Sequence, residues 1–148
     1  MIQRVQSILL ALVAIFHILI FFIPVFTWAG YSMPGSDVAD LKVITALHNI
    51  PVIVINSLII VFTILVIFQF KDRKKQRSWV RILNLFIILN IGLYMYYMIT
   101  FTLEGEYTLL PLKSYGIYLQ VISIVLCLIA AGRIKKDDDL VKSVDRIR

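Results

Sequence analysis

The chain has 148 residues, 60% hydrophobic and 16% charged, with a mean hydropathy of +0.90 and a formal net charge of +6 at pH 7. Soluble domains are about half apolar and about a quarter charged, and a single core of this size cannot bury so much apolar surface. An ordinary water-soluble domain is excluded, and lipid is the solvent for most of the chain.

Four windows without Asp, Glu, Lys or Arg are predicted to cross a bilayer: residues 8–26, 51–70, 82–101 and 115–132. A hydrocarbon layer of about 30 Å needs roughly 20 helical residues at about 1.5 Å each. Strands would alternate apolar with polar residues, and a membrane barrel needs at least about eight of them. Helices also satisfy their own backbone groups, as lipid demands. The expected fold class is an all-α membrane protein. It is a four-transmembrane-helix bundle in one domain over 1–148, ending in a short cytoplasmic amphipathic tail at 133–148.

The first window is longer than the apolar core of a signal peptide. Thr27-Trp28-Ala29-Gly30 after it offers no small-residue cleavage pattern, so it reads as a retained helix. Ala11 and Ala14 form a small-residue patch near His17, which lies midway along the window. A histidine at that depth reads first as a neutral imidazole bonded to a neighbouring helix. The sharper readings are a proton relay, a haem ligand or a quinone contact. Bis-histidine haem ligation fits poorly, because the other histidine, His48, falls near the outer surface.

In the first outer loop, Pro34-Gly35-Ser36 reads as a turn. Ser36 can cap a short surface helix from Asp37, with Val38, Leu41, Thr45 and His48 at helical spacing. Asn49 and Pro51 then start span two as a cap and an early helical proline. On that span Asn56, Ile60, Thr63 and Ile67 share a face.

The loop 71–81 carries six basic residues and one acid. With Arg4 and the tail, 13 of the 15 Lys and Arg fall on one side of the predicted membrane. The positive-inside rule places both termini and this loop in the cytoplasm. Topology accounts for the basic charge, so no nucleic-acid binding is expected. The expected surroundings are the lipid bilayer, with anionic lipid headgroups at the basic loop. Trp28, Tyr31, Tyr96, Tyr97, Tyr107 and Tyr115 mark the outer boundary and Trp79 the inner one.

On span three, Asn90, Tyr94, Tyr97 and Phe101 share a face and Gly92 lies opposite, so the helix is expected to pack on two sides. Asn84 is nearer the cytoplasm. The loop 102–114, with Glu104-Gly105-Glu106 and Pro111, reads as a tight connector. Span four carries a stripe of Gly116, Gln120, Ser123, Cys127 and Ala131. The candidate helix-packing residues are therefore Gly92, Gly116, Ser123, Cys127 and Ala131. The candidate intramembrane polar layer is His17, Asn56, Asn90 and Gln120. It sets helix register, or else lines a polar cavity.

In the tail, Leu140, Val144 and Ile147 follow at i, i+4 and i+7. They form a candidate partner-docking face on a short amphipathic helix. The alternative is a continuation of the fourth helix with a solvated face. Asp137-Asp138-Asp139 lacks calcium-loop spacing. Arg4 is expected near these acids.

Cys127 is the one cysteine, so no intrachain disulfide forms. No zinc set, phosphate-cradling loop, nucleophile elbow or H-E-x-x-H helix is present. No window holds the carboxylate that a small proton-coupled exporter needs. No enzyme activity, cofactor or metal is expected.

Met1-Ile2-Gln3-Arg4-Val5-Gln6 before an apolar span resembles the start of an uncharacterised Bacteroidetes family of small membrane proteins, known only as a domain of unknown function. Lys71-Asp72-Arg73-Lys74 fits that pattern. Ile134-Lys135-Lys136-Asp137-Asp138, Leu140-Val141-Lys142-Ser143 and Asp145-Arg146-Ile147-Arg148 resemble its terminal signature. The resemblance implies a four-span protein of the bacterial inner membrane and brings no activity. Specific ends and packing faces without a reaction centre suggest an accessory or assembly subunit of a larger membrane complex. The alternative is a small transporter or channel using the polar layer around His17 and Asn90, and a third is a haem or quinone subunit centred on His17.

Overall fold

A computed structural model describes residues 2–31, 39–70, 72–103, 107–109 and 114–145, with side chains for 5–27, 45–47, 49–70, 72–100 and 114–141. Four helices dominate: α1 (Ile2–Leu19), α2 (Ile50–Phe68), α3 (Arg73–Leu103) and α4 (Tyr115–Asp145). Each packs mainly on its chain neighbours, and α4 closes the ring against α1. This adjacency gives an up-down-up-down bundle. Helices α2, α3 and α4 are long and apolar enough to cross a membrane, whereas the apolar part of α1, Val5–Leu19, is shorter.

The first window does not form one helix. α1 begins at Ile2, because Gln6, Leu10, Val13 and His17 already make a buried stripe at helical spacing. It ends at Leu19, seven residues before the predicted limit. Pro24 lacks an N–H and disfavours helix at Ile23. The chain closes with Phe22 and Ile23 N–H both donating to the Leu19 carbonyl at 2.9 Å. The stretch that follows is not helical, yet it is sheltered: Ile20 and Val25 are fully buried. Lipid tolerates irregular backbone only where protein covers it.

An all-α fold is corrected by a three-stranded sheet at this end of the bundle. Strands β1 (Phe26–Tyr31), β2 (Ala39–Ile44) and β3 (Tyr107–Leu109) are ordered β2-β1-β3 and antiparallel. Phe26 pairs with Ile44 and Tyr31 with Ala39, while Trp28 pairs with Leu109. The helix expected from Asp37 is therefore β2, followed by a 3₁₀ turn at Ala46–His48. Ser36, Asp37 and Val38 lie outside the described residues. Asp40-Leu41-Lys42-Val43 alternates polar with apolar residues, a strand period, and β1 supplies the backbone partners that a local helix would otherwise provide. The expected connector 102–114 likewise contributes β3.

The core is two apolar clusters. One joins all four helices through residues such as Leu10, Ile59, Leu83, Ile87 and Cys127, and the other gathers Ile20, Val25, Phe26, Ala46, Val52 and Tyr94 beneath the sheet. Phe62 of α2 stacks on Trp79 of α3 with ring centroids 5.5 Å apart and meets Phe86 edge-on at 5.7 Å. Outward faces are also apolar: Phe68, Leu85 and Leu128 are more than half exposed. Apolar exposure on every side suits a lipid surround.

Candidate functional site

Between the two clusters lies a layer of polar side chains. Asn56, in the second turn of α2, is its hub. Its Nδ2 donates to the His17 carbonyl at 2.9 Å, and its Oδ1 faces His17 Nδ1 at 2.8 Å. An amide oxygen only accepts, so the imidazole proton sits on Nδ1. In the neutral ring, Nε2 is then a bare acceptor. Asn90 Nδ2 of α3 reaches the same Asn56 oxygen at 3.5 Å, a long contact. Three of the four predicted layer residues are thus in direct contact.

Gln120 joins them by level. Arg73 at the start of α3 pairs with Asp137 late in α4. Asn90 lies 17 residues after Arg73 and Gln120 lies 17 before Asp137. On antiparallel helices of equal rise, both stand about 25 Å from that pair. Gln120, Asn90, Asn56 and His17 all have zero exposure. Tyr94, one turn beyond Asn90, is 1% exposed. In the sequence Tyr94 reads as a face residue; its i+4 spacing from Asn90 is the signal that it borders the layer.

The layer is not satisfied. His17 Nε2, Asn90 Oδ1, the Tyr94 hydroxyl and both amide atoms of Gln120 are buried without a hydrogen-bond partner. Most buried polar atoms in proteins are paired. Thr63 and Ser123 do not help. Thr63 Oγ1 donates to the Ile59 carbonyl and Ser123 Oγ to the Leu119 carbonyl, each within its own helix. Among the described residues, no three or more His, Cys, Asp and Glu side chains gather as a metal site.

The predicted packing residues divide. A Cβ on Gly116 would stand 2.9 Å from the Val25 Cα, so glycine is required where α4 starts against the stretch that follows α1. There the Gly116 N–H donates to the Pro24 carbonyl at 2.9 Å and the Thr27 N–H donates to Ser114 Oγ at 3.1 Å. Ser123 and Cys127 are buried, and Ala131 packs at the edge of the core. Gly92 is corrected. It is exposed with nothing within 4 Å of a built Cβ, so α3 does not pack on that side. Its neighbours Ile88, Leu89 and Met95 are exposed too, because the two helices touching α3 meet one stripe only.

The opposite end of the bundle is polar. Asp72 caps α3, its Oδ1 accepting from the Lys75 N–H at 3.1 Å. That bond, followed by nearby Lys75 charge, holds the Asp72 carboxyl below its ordinary value. Gln76 Nε2 donates to the Val66 carbonyl at 3.1 Å, ending α2. Arg73 Nε lies 3.3 Å from Asp137 Oδ2, and its Nη1 donates to the Asp137 carbonyl at 3.1 Å. Asp137 therefore pairs with Arg73; the side chain of Arg4, its expected neighbour, lies outside the described residues. α4 runs unbroken to Asp145, so the separate tail helix is corrected to a continuation of the fourth helix. No glycine or proline follows Gly132 to stop it. Leu140 is exposed, and the side chains of Val144 and Ile147 lie outside the described residues.

A family model described as "Domain of unknown function (DUF4293)" matches residues 2–147. The chain belongs to this family. Neither a curated protein nor a solved structure matches it. The family match spans all four helices and the sheet, so the polar layer and the Arg73–Asp137 end belong to one family unit.

Proposed function

We propose that the protein is a non-catalytic accessory or assembly subunit of a larger complex in the bacterial inner membrane. It crosses four times with both termini in the cytoplasm. The first crossing combines α1 with the sheltered stretch Ile20–Phe26, and the other three are single helices. The positive-inside bias supports the orientation. The basic end at Lys74, Lys75 and Arg77 meets anionic lipid headgroups.

One observation carries the subunit reading. α3 and α4 each have 31 residues, about 46 Å of helix. Arg73–Asp137 clamps them together where they leave the apolar zone. The helix beyond that clamp presents Asp139, Leu140 and Val141 on its exposed surface. A rigid projecting helix with an apolar edge is a partner-docking element. Purification from native membranes in mild detergent tests this. The full chain should bring down a membrane partner, and a chain truncated after Asp138, which keeps the clamp, should lose it. Recovery of the full untagged chain alone, as monomer or homodimer at native abundance, would sink the proposal.

A second reading, passage of a small solute, draws on the unpaired atoms at His17, Asn90 and Gln120. Apolar clusters close the layer on both sides, so passage requires an opening. Flux into liposomes that His17→Leu or Asn90→Leu reduces is the expected result. No flux from correctly inserted protein counts against it.

A further inference from the structure

We infer that the polar layer is an internal binding site for small, uncharged, hydrogen-bonding guests, with water as its smallest occupant. The inference uses the same residues as the solute-passage reading but needs no passage, and it stands apart from the docking helix.

Five buried polar atoms in the layer and one turn beyond it lack partners: His17 Nε2, Asn90 Oδ1, Tyr94 Oη, and Gln120 Oε1 and Nε2. They come from three helices. The fourth, α2, contributes Asn56, which spends its Oδ1 and Nδ2 on His17 and Asn90. Asn56 therefore fixes the wall and leaves the other groups free to bond an occupant. Among the described residues, the three other buried atoms without a hydrogen-bond partner, Gln6 Nε2, Asn84 Oδ1 and Asp137 Oδ2, belong to residues nearer the Arg73–Asp137 end. His17, Asn90 and Gln120 share a level set independently by the Asn56 bonds and by the equal 17-residue offsets from Arg73 and Asp137, with Tyr94 one turn beyond it.

The chemistry restricts the guest. Each of the four residues bearing these atoms is at most 1% exposed, so no side chain from a partner protein reaches them. No Asp, Glu, Lys or Arg lies in the helical stretches around the layer, so nothing neutralises an ion there. The bare His17 nitrogen and the Asn90 and Gln120 oxygens accept, the Gln120 amide donates, and the Tyr94 hydroxyl does both. A guest must carry donors and at least one acceptor on a small frame. Water meets this, and a buried water needs two to four polar partners. Small amides and polyols present the same groups.

The sign of a substitution separates an occupied layer from a dry one. In a dry layer, unpaired atoms only destabilise, so replacing them with apolar groups of similar shape raises stability. In an occupied layer the same change strands the guest's hydrogen bonds and lowers it. The experiment uses the full chain in lipid nanodiscs with ¹⁵N-labelled His and Gln. Solid-state NMR reads magnetisation transfer from water to the His17 ring and the Gln120 side-chain amide. Transfer to both nitrogens is expected, well above that at the backbone amide of buried Leu83. Gln120→Leu and the milder Tyr94→Phe should each lower the thermal midpoint in detergent, by about 4 °C for the first. Absence of transfer at both side chains overturns the inference, as does a raised midpoint in both variants. The wild-type spectrum decides even where a variant fails to fold.

Discussion

Asn56 shows how one side chain sets the register of three helices. Its two polar atoms hold the His17 carbonyl and ring and reach Asn90. Interhelical hydrogen bonds in lipid contribute about 0.6 kcal/mol each on average, but orphaning buried partners costs about 1–3 kcal/mol. Asn56→Leu should therefore destabilise the bundle by about 2–3 kcal/mol, read as a lower midpoint in detergent denaturation. Two glycines give a contrast. At Gly116 a side chain would strike backbone at Val25, and overpacking of that kind costs about 1–3 kcal/mol. Gly116→Val should lower the midpoint accordingly, while Gly92→Val, facing open space, should leave it unchanged or raise it slightly. Equal losses at both glycines would contradict the packing described for α3.

Helix α3 illustrates how an element is started and tied. Asp72 accepts the Lys75 N–H, which fills one of the donors every helix start leaves open. Because that bond lowers the Asp72 carboxyl value in the folded state, the stabilisation is fully present above the ordinary carboxylate value. It is lost as pH falls through the lowered one. Asp72→Ala should thus reduce the thermal midpoint at neutral pH. The gap from wild type should close below the ordinary Asp range, as a pH series of melting curves would reveal. The cap is readable from Asp72 preceding a long helical run. The sheet was less legible. Val38, Leu41, Thr45 and His48 fit a helical period as numbers, while Leu41 and Val43 fit a strand period just as well. A six-residue segment cannot separate the two by spacing, and pairing with β1 tips the balance.

At the level of the whole molecule, charge and hydropathy predict orientation. Cysteines placed at Lys75 and Lys142 should resist an impermeant maleimide added to intact spheroplasts and react once the membrane is opened. The native Cys127 is fully buried and gives no background. Labelling of either position from outside would reverse the topology. The bundle order, in which α4 closes on α1, buries Gln120 in the interior rather than leaving it on an outward face. The polar layer then becomes a shared interior feature of four helices instead of four separate amides.

Apolar runs without charge told where the helices α2, α3 and α4 would lie, because transfer to lipid is a property of each residue and adds along the chain. Basic residues predict which ends share a side for the same reason, and the maleimide labelling tests it. The pairing of His17, Asn56 and Asn90 was half legible: burial of polar groups in lipid demands partners, and few were on offer. The sheet around β1 and the sheltering of the chain after α1 depended on contacts between segments far apart in the chain. Pro24 meets Gly116 there. Such contacts decide between local conformations of nearly equal energy, and local spacing carries no record of them.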